Sequence, residues 1–315
     1  MSELNLALGA MEFGSRIDEK TSFALLDQYV AEGGVWIDTA NCYSFWQSES
    51  GFGGQSEELL GRWFAQRPGV RERVRIATKV GCEPTVPGGF PDHTEGLGGA
   101  AIDAALEASL RRLGIDHIDL YWAHWDDRST PLDETVAAFG KHHGAGTIGQ
   151  IGLSNWALWR VERARGLAAA AGVAEPSAFQ LRYSYLQPRP LVRDHIHNHR
   201  FGWITDEVLD FVDNQPHWDL WAYSPLMSGA YERADRPIEE AFDHPGTTRR
   251  LEVLDKVAAE LGVSRSSVVV AWLTGGTPPV RPIVGASRTE QLTASITGAR
   301  LELPAELRTK LDEAW

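Results

Sequence analysis

The feature that most constrains this chain is a regular alternation, along 315 residues, of short apolar runs with longer amphipathic stretches. Runs of β character are "LALGAM" (6–11), "VWID" (35–38), "VRIATK" (74–79), "IDLYWAH" (118–124), "IGQIGLS" (148–154), "AFQLR" (178–182), "LWAYS" (220–224) and "PIVGA" (282–286). Each is short, rich in branched or aromatic residues, and bounded by polar or turn residues. Between them the period changes to that of a helix. In "DEKTSFALLDQYVAEGG", Phe23, Leu26, Tyr29 and Val30 recur on one face and Gly33 ends the run. The stretches "GGQSEELLGRWFAQRPG", "GAAIDAALEASLRRLG" and "TTRRLEVLDKVAAELG" follow the same rule, each with glycine at or near an end. Eight strand–helix units without a linker or a shift in composition predict an α/β fold, a single-domain (β/α)8 barrel over residues 1–315; an open doubly wound sheet is the runner-up.

Charge and cysteine content narrow the function classes. A net charge of −13 excludes a general affinity for nucleic acid or anionic membrane, so an anionic ligand needs a local basic pocket. Two cysteines, Cys42 and Cys82, are too few for a disulfide framework and fit a reducing compartment. The opening "MSELNLALGAMEFG" has no basic segment before an apolar core, and no apolar stretch approaches the roughly eighteen residues of a membrane span. A soluble, cytoplasmic protein is expected.

In a (β/α)8 barrel the chemistry gathers where the strands end. The second strand here ends in Asp38, the third in Lys79 and the fourth in His124, and Tyr43 follows in the loop after the second. Any one of these has a structural reading, as a cap or a packed core residue. Four on adjacent strand ends point to shared chemistry. A phenol with a pKa near ~10 is a poor proton donor at neutral pH. A neighbouring ammonium favours its ionised form, a carboxylate keeps that ammonium charged, and a histidine within reach can orient a carbonyl. Such a set protonates a developing alkoxide and suits carbonyl reduction, given a hydride donor nearby.

The one literal G-x-G-x-x-G, "GAGTIG" at Gly144, Gly146 and Gly149, follows a helical pattern and leads into a strand, the reverse of a dinucleotide fingerprint, so it reads as a helix stop. Later strand ends are better placed. Ser154, Asn155 and Gln180 offer amide and hydroxyl groups for a carboxamide, and Tyr223 a ring for stacking. "GASRTEQL" sets Ser287 and Arg288 at a helix start, a natural phosphate site in this fold.

Taken together, "LGAMEFG", "IDTANCYS", "GGQSEELLGRW", "IATKVG", "DLYWAHWDD", "IGLSNW", "YSPLMSG" and "VGASRTEQL" resemble the aldo-keto reductase superfamily over nearly the whole chain. The resemblance implies a nicotinamide cofactor bound extended on the barrel. It implies that Tyr43 is the general acid, that Lys79 and Asp38 tune it, and that His124 orients the carbonyl. It assigns Ser154, Asn155 and Gln180 to the carboxamide, Tyr223 to the nicotinamide ring, Ser224, Pro225, Leu226 and Ser228 to the pyrophosphate path, and Gly285, Ser287, Arg288 and Gln291 to the adenosine phosphate. Met11 and Arg16 match positions flanking the nicotinamide. Where many relatives carry a Glu-Asn pair, this chain has Ala294 and Ser295, which predicts weaker adenine contacts. Arg288 favours NADP, used as NADPH, over NAD, because a guanidinium pairs with the extra phosphate in bidentate fashion.

Phe13, Phe45, Trp46, Trp125, Trp156 and Tyr185 are expected to line an aromatic substrate pocket for a small carbonyl compound. "ESGFGG" and the loop 82–98 are expected to shape it further. His195, His197 and His199 alternate within "QPRPLVRDHIHNHRFGW", which reads as a solvated loop, and no metal site is expected. Two rival functions fit the same residues: physiological oxidation of an alcohol or sugar, or a nicotinamide-binding regulatory protein without turnover. No nucleic-acid or membrane partner is expected, and the oligomeric state is open.

Overall fold

A computed structural model describes residues 3–192, 202–215 and 217–315. Its strands are β1 (Ala7–Gly9), β2 (Trp36–Asp38), β3 (Arg75–Val80), β4 (Ile118–Ala123), β5 (Ile148–Ser154), β6 (Ala178–Arg182), β7 (Asp219–Tyr223) and β8 (Arg281–Val284). They form a closed barrel in sequence order, each parallel to the next, and β8 closes on β1 with Ala7 opposite Ile283. Around it run α1 (Glu19–Ala31), α2 (Gln55–Gln66), α3 (Gly99–Leu113), α4 (Leu132–Gly144), α5 (Leu158–Ala171), α6 (Asp206–Asp213), α7 (Pro245–Leu261), α8 (Arg265–Thr274), α9 (Thr289–Arg300) and α10 (Ala305–Asp312). All eight strand-like runs are strands, and closure rules out the open sheet. The expected simple alternation breaks between β7 and β8, where α7 and α8 stand in series.

The helix ends obey their local chemistry. Asp18 caps α1, its carboxylate accepting from the Thr21 amide at 2.8 Å. At the other end Gly34 is required by packing, since a Cβ there would lie 2.4 Å from the Tyr29 ring. Tyr29 itself is fully buried and its hydroxyl donates to the Leu6 carbonyl at 2.7 Å, tying α1 to the entry of β1. On α2, buried Glu57 accepts from Thr78 Oγ1 at 2.6 Å and pairs with Arg112 at 2.7 Å, so one carboxylate joins α2, β3 and α3.

The barrel interior is plugged by three indoles. Trp36 and Trp221 meet edge to face at 5.2 Å, and Trp221 meets Trp122 at 5.6 Å. Small or slim residues complete the layer: Ala7, Ala77, Leu120, Ala178 and Ile283. Gly152 pairs with Trp122 across β4 and β5, and a Cβ on it would sit 2.1 Å from the indole. Large side chains from some strands therefore fit only because their neighbours are small. Lys79 also pairs in register with Trp122, so the indole layer adjoins the strand ends that carry Asp38 and Lys79.

A cavity of about 830 Å³ opens at the other end of the barrel, where Glu3, Trp36, Arg75, Asp219 and Arg281 line the strand starts; none of Asp38, Tyr43, Lys79 or His124 lines it. Among the described residues no single helix is long and apolar enough to cross a membrane.

Gly152→Ala tests the indole plug. The added methyl has no room against a fully buried ring, and overpacking of this kind costs about 1–3 kcal/mol. We expect a lower denaturant midpoint with an unchanged m-value; an unchanged midpoint would mean the layer can rearrange freely.

Candidate active site

Asp38 is the last residue of β2, Lys79 the penultimate residue of β3, and His124 follows β4, so three adjacent strands deliver them to one rim. The hub is Lys79. Its ammonium, fully buried, donates to Asp38 Oδ2 at 2.6 Å, to the Thr39 carbonyl at 2.6 Å and to Tyr43 Oη at 2.8 Å. All three hydrogens of an ammonium are thereby used, and its position is fixed by three acceptors. The Tyr43 oxygen accepts from Lys79, which leaves its own hydrogen for another acceptor. The His124 ring lies 5.8 Å from the Tyr43 ring, nearly perpendicular to it.

Burial, followed by the negative charge of Asp38, holds the Tyr43 phenol well above its usual range, so it stays protonated at neutral pH. Burial likewise drives the Asp38 carboxyl up, against the pull of the Lys79 ammonium. The tyrosine is thus kept as an acid, and the lysine holds the geometry in which its oxygen becomes more basic only by giving up a proton.

Along the rest of the rim, Ser154 ends β5, Asn155 follows it, and Gln180 lies in β6. Asn155 is engaged within the protein: its Nδ2 donates to the His124 carbonyl at 3.1 Å and to Ser154 Oγ at 3.2 Å, and its Oδ1 accepts from Tyr223 at 2.9 Å. Gln180 is different. It lies against Asp38 and favours the ionised carboxylate, although its buried Nε2 reaches no acceptor with full hydrogen-bond geometry. Backbone conformation marks the same rim. Ser44, Asn155, Ser224, Met227 and Ser228 all adopt positive φ, between 49° and 76°. Such strain at non-glycine residues persists only where the surroundings enforce it.

After β8, Gly285 is exposed and a Cβ there would meet nothing within 4 Å. Arg288 stands exposed at the start of α9, and Gln291 curls back so that its Oε1 accepts from the Ser287 amide at 2.9 Å and hydroxyl at 3.1 Å. Pro225 is buried with its carbonyl held by Ser184 Oγ at 2.6 Å, while Leu226 is partly buried and Ser224 and Ser228 are exposed. Met11 and Arg16 are exposed on the loop after β1, with Arg16 held to Glu12 at 3.5 Å and the Met11 carbonyl accepting from Ser44. Ser295 is buried against its own helix turn, its hydroxyl bonded to the Gln291 carbonyl at 3.2 Å.

The sequence profile of the Aldo/keto reductase family matches residues 5–315. The chain belongs to the aldo/keto reductase family. It is similar to the oxidoreductase YrpG of Bacillus subtilis (33% identity, covering 98% of this chain and 91% of YrpG). It is also similar to the norsolorinic acid reductase StcV of Emericella nidulans (29%; 96% and 75%) and to an aryl-alcohol dehydrogenase of Pestalotiopsis microspora (29%; 98% and 78%). The protein is an oxidoreductase.

The aromatic lining of this aldo/keto reductase differs from the sequence expectation. Phe45, Trp46 and Trp125 do gather beside Tyr43, with Trp46 half-exposed 6.4 Å from the tyrosine ring. Phe13, Trp156 and Tyr185 do not. Phe13 is fully buried between β1, α1 and α2, and Trp156 packs with Phe139, Ile151 and Ala164 on the outer side of β5. Tyr185 is buried against Trp272, with its hydroxyl on the Leu311 carbonyl at 3.1 Å. Their places at the wall are taken by Phe90, which the sequence did not single out. It stacks on Trp125 (5.5 Å, 12° between planes) and touches Phe45 at 5.0 Å. His195, His197 and His199 lie outside the described residues.

Two half-buried glutamates, not singled out in the sequence, brace the Tyr43 loop. Glu95 accepts from Asn41 Nδ2 at 2.8 Å and the Gly81 amide at 2.7 Å, while Glu83 accepts from the Gly53 amide at 2.8 Å. The loops after β2 and β3 are therefore stapled together behind Tyr43.

Glu83 offers a test. Burial pushes its carboxyl from an ordinary 4.5 up to about 7, with the Gly53 amide opposing and Glu95 adding to the rise. A folded-state pKa above the unfolded value means the native protein binds more protons in that window, so stability falls as pH climbs from about 4.5 to about 7. Glu83→Gln should remove this slope. Melting curves at pH 5 and pH 8 should show wild type losing ground to the variant at the higher pH, and parallel behaviour would contradict the assignment.

Proposed function

We propose that this aldo/keto reductase reduces an aryl aldehyde or ketone to the alcohol, using NADPH as the hydride source and Tyr43 as the general acid. The observation that carries this reading is the Lys79 hub, which in one buried cluster touches Asp38 and the oxygen of Tyr43 at hydrogen-bond distance. A buried lysine with three acceptors and a protonated tyrosine is an arrangement for delivering a proton to a developing alkoxide.

The residues present fit a nicotinamide dinucleotide. Gln180 Nε2 is a buried donor beside Asp38 whose hydrogen bonding within the protein is incomplete, suited to a carboxamide oxygen. Ser154 and Asn155 flank it, and the bond from Tyr223 to Asn155 fixes the ring against which a nicotinamide would stack. The turn Ser224–Ser228, with Ser224, Met227 and Ser228 at positive φ and both serines exposed, would carry the pyrophosphate with Pro225 and Leu226. Open space at Gly285, with Ser287, Arg288 and Gln291 beside it, would take the adenosine phosphate, and Met11 and Arg16 would border the nicotinamide end. When bound, the cofactor supplies the hydride.

The chain's own part follows from the geometry. A carbonyl oxygen placed between Tyr43 and His124 accepts from both. As negative charge grows on that oxygen, Tyr43 gives up its proton, and the ammonium at 2.8 Å steadies the phenolate that remains. Asp38 keeps the ammonium in place throughout. Phe45, Trp46, Phe90 and Trp125 form an apolar wall beside the tyrosine that fits a flat ring and excludes water. The name of one fungal relative, an aryl-alcohol dehydrogenase, agrees with a substrate of that shape.

Tyr43→Phe should lower kcat by roughly 10²–10⁴-fold, the usual contribution of a general acid, while NADPH binding followed by tryptophan fluorescence stays nearly unchanged. Retained turnover would remove the tyrosine from the mechanism. Arg288→Ala should weaken NADPH binding by about 1–3 kcal/mol, the scale of a charge-assisted hydrogen bond, and NADH binding far less. Equal losses for the two cofactors would refute a phosphate role.

A further inference from the structure

We infer that Cys42 is a positioning residue for the reaction, its thiol donating to Nδ1 of His124 and thereby fixing that ring as the tautomer with its hydrogen on Nε2. The inference rests on the reduction reading above and extends it to a residue outside the catalytic four. Cys42 immediately precedes Tyr43, is buried, and places Sγ 3.6 Å from His124 Nδ1. That separation is within the range of a sulfur hydrogen bond. Its sense follows from the chemistry of the two atoms: an imidazole nitrogen is a good acceptor and a thiol sulfur a poor one, so S–H to N is favoured over N–H to S.

The surroundings of the contact are apolar. Cys82, two residues beyond β3, packs against Cys42 in the same small cluster with Ala40, and burial keeps its thiol protonated. The consequence for catalysis is direct. A carbonyl oxygen can only accept, so a histidine that helps hold it must present N–H, and the Cys42 thiol selects the neutral ring form that does so at Nε2.

The experiment is nitrogen-15 NMR of the full-length, histidine-labelled protein, with the His124 signals assigned by a His124→Gln control. Wild type should show an unprotonated Nδ1 and a protonated Nε2. Cys42→Ser, which keeps a donor, should preserve that pattern. Cys42→Ala should give a mixture of tautomers together with a roughly five-fold fall in kcat, the rate equivalent of about one hydrogen bond, and little change in cofactor affinity. A wild-type ring protonated at Nδ1, or a Cys42→Ala spectrum identical to wild type, overturns the inference. The wild-type spectrum decides the sense of the bond even where the alanine variant does not fold. Absence of carbonyl turnover alongside the expected tautomer would count against the reduction reading and leave the thiol contact standing.

Discussion

The site depends on one buried ion pair. Lys79 and Asp38 sit at 2.6 Å with almost no solvent exposure. Removing two charges from water costs several kcal/mol per ion, and a pair in the interior is tolerated only when the remaining hydrogen-bonding capacity is also met. Here the Thr39 carbonyl and the Tyr43 hydroxyl complete the ammonium's set. The burial that makes the pair costly therefore leaves the ammonium's remaining hydrogen to be met by the protein, and Tyr43 meets it. Loss of either charged partner leaves the other uncompensated, a change on the order of 3–5 kcal/mol.

Burial of that pair depends in turn on what lies beneath it. Were the barrel interior open, water would reach the ammonium from below and screen it. Trp36, Trp122 and Trp221 close that route, with Trp122 level with Lys79. The glycine at 152 is a condition for this closure, since no other residue leaves room for the indole. Above the pair, closure comes from loops, and these are held by polar contacts. Glu83 and Glu95 tie the loop carrying Tyr43 to the loop after β3, and Phe90 on the latter completes the aromatic wall. A rigid apolar floor and a polar-stapled roof thus bound one charged cluster.

This division explains what was legible in the sequence. The strands could be read because each is a short apolar run whose period differs from its flanking helices, and Asp38, Lys79 and His124 because a polar residue closing such a run has few places to go but the rim. The double helix between β7 and β8 was not legible, since α7 and α8 follow one another with the same periodicity and only a short break. The aromatic pocket was half legible. Phe45, Trp46 and Trp125 lie in rim loops and face Tyr43, but Phe13, Trp156 and Tyr185 lie equally close to strand ends and turn outward, where helices cover them. Proximity to a strand end places a residue at the rim, and one position of register decides whether it faces the axis or the helical shell. The loop 82–98 was expected to shape the pocket, but Phe90, Glu83 and Glu95 could not be singled out within it: their partners lie in another loop, and no periodicity in sequence reports a contact between loops.

The electrostatics of the cluster also set the resting state of its phenol. Tyr43 is held protonated by burial and by the charge of Asp38. Ionising it would run against both influences. Lys79 opposes them, but its ammonium is shared with Asp38 and Thr39 and only one of its hydrogens reaches the phenol. The resting state of the cluster is therefore a protonated phenol held against a buried ammonium, and where the charges are buried is what fixes that state.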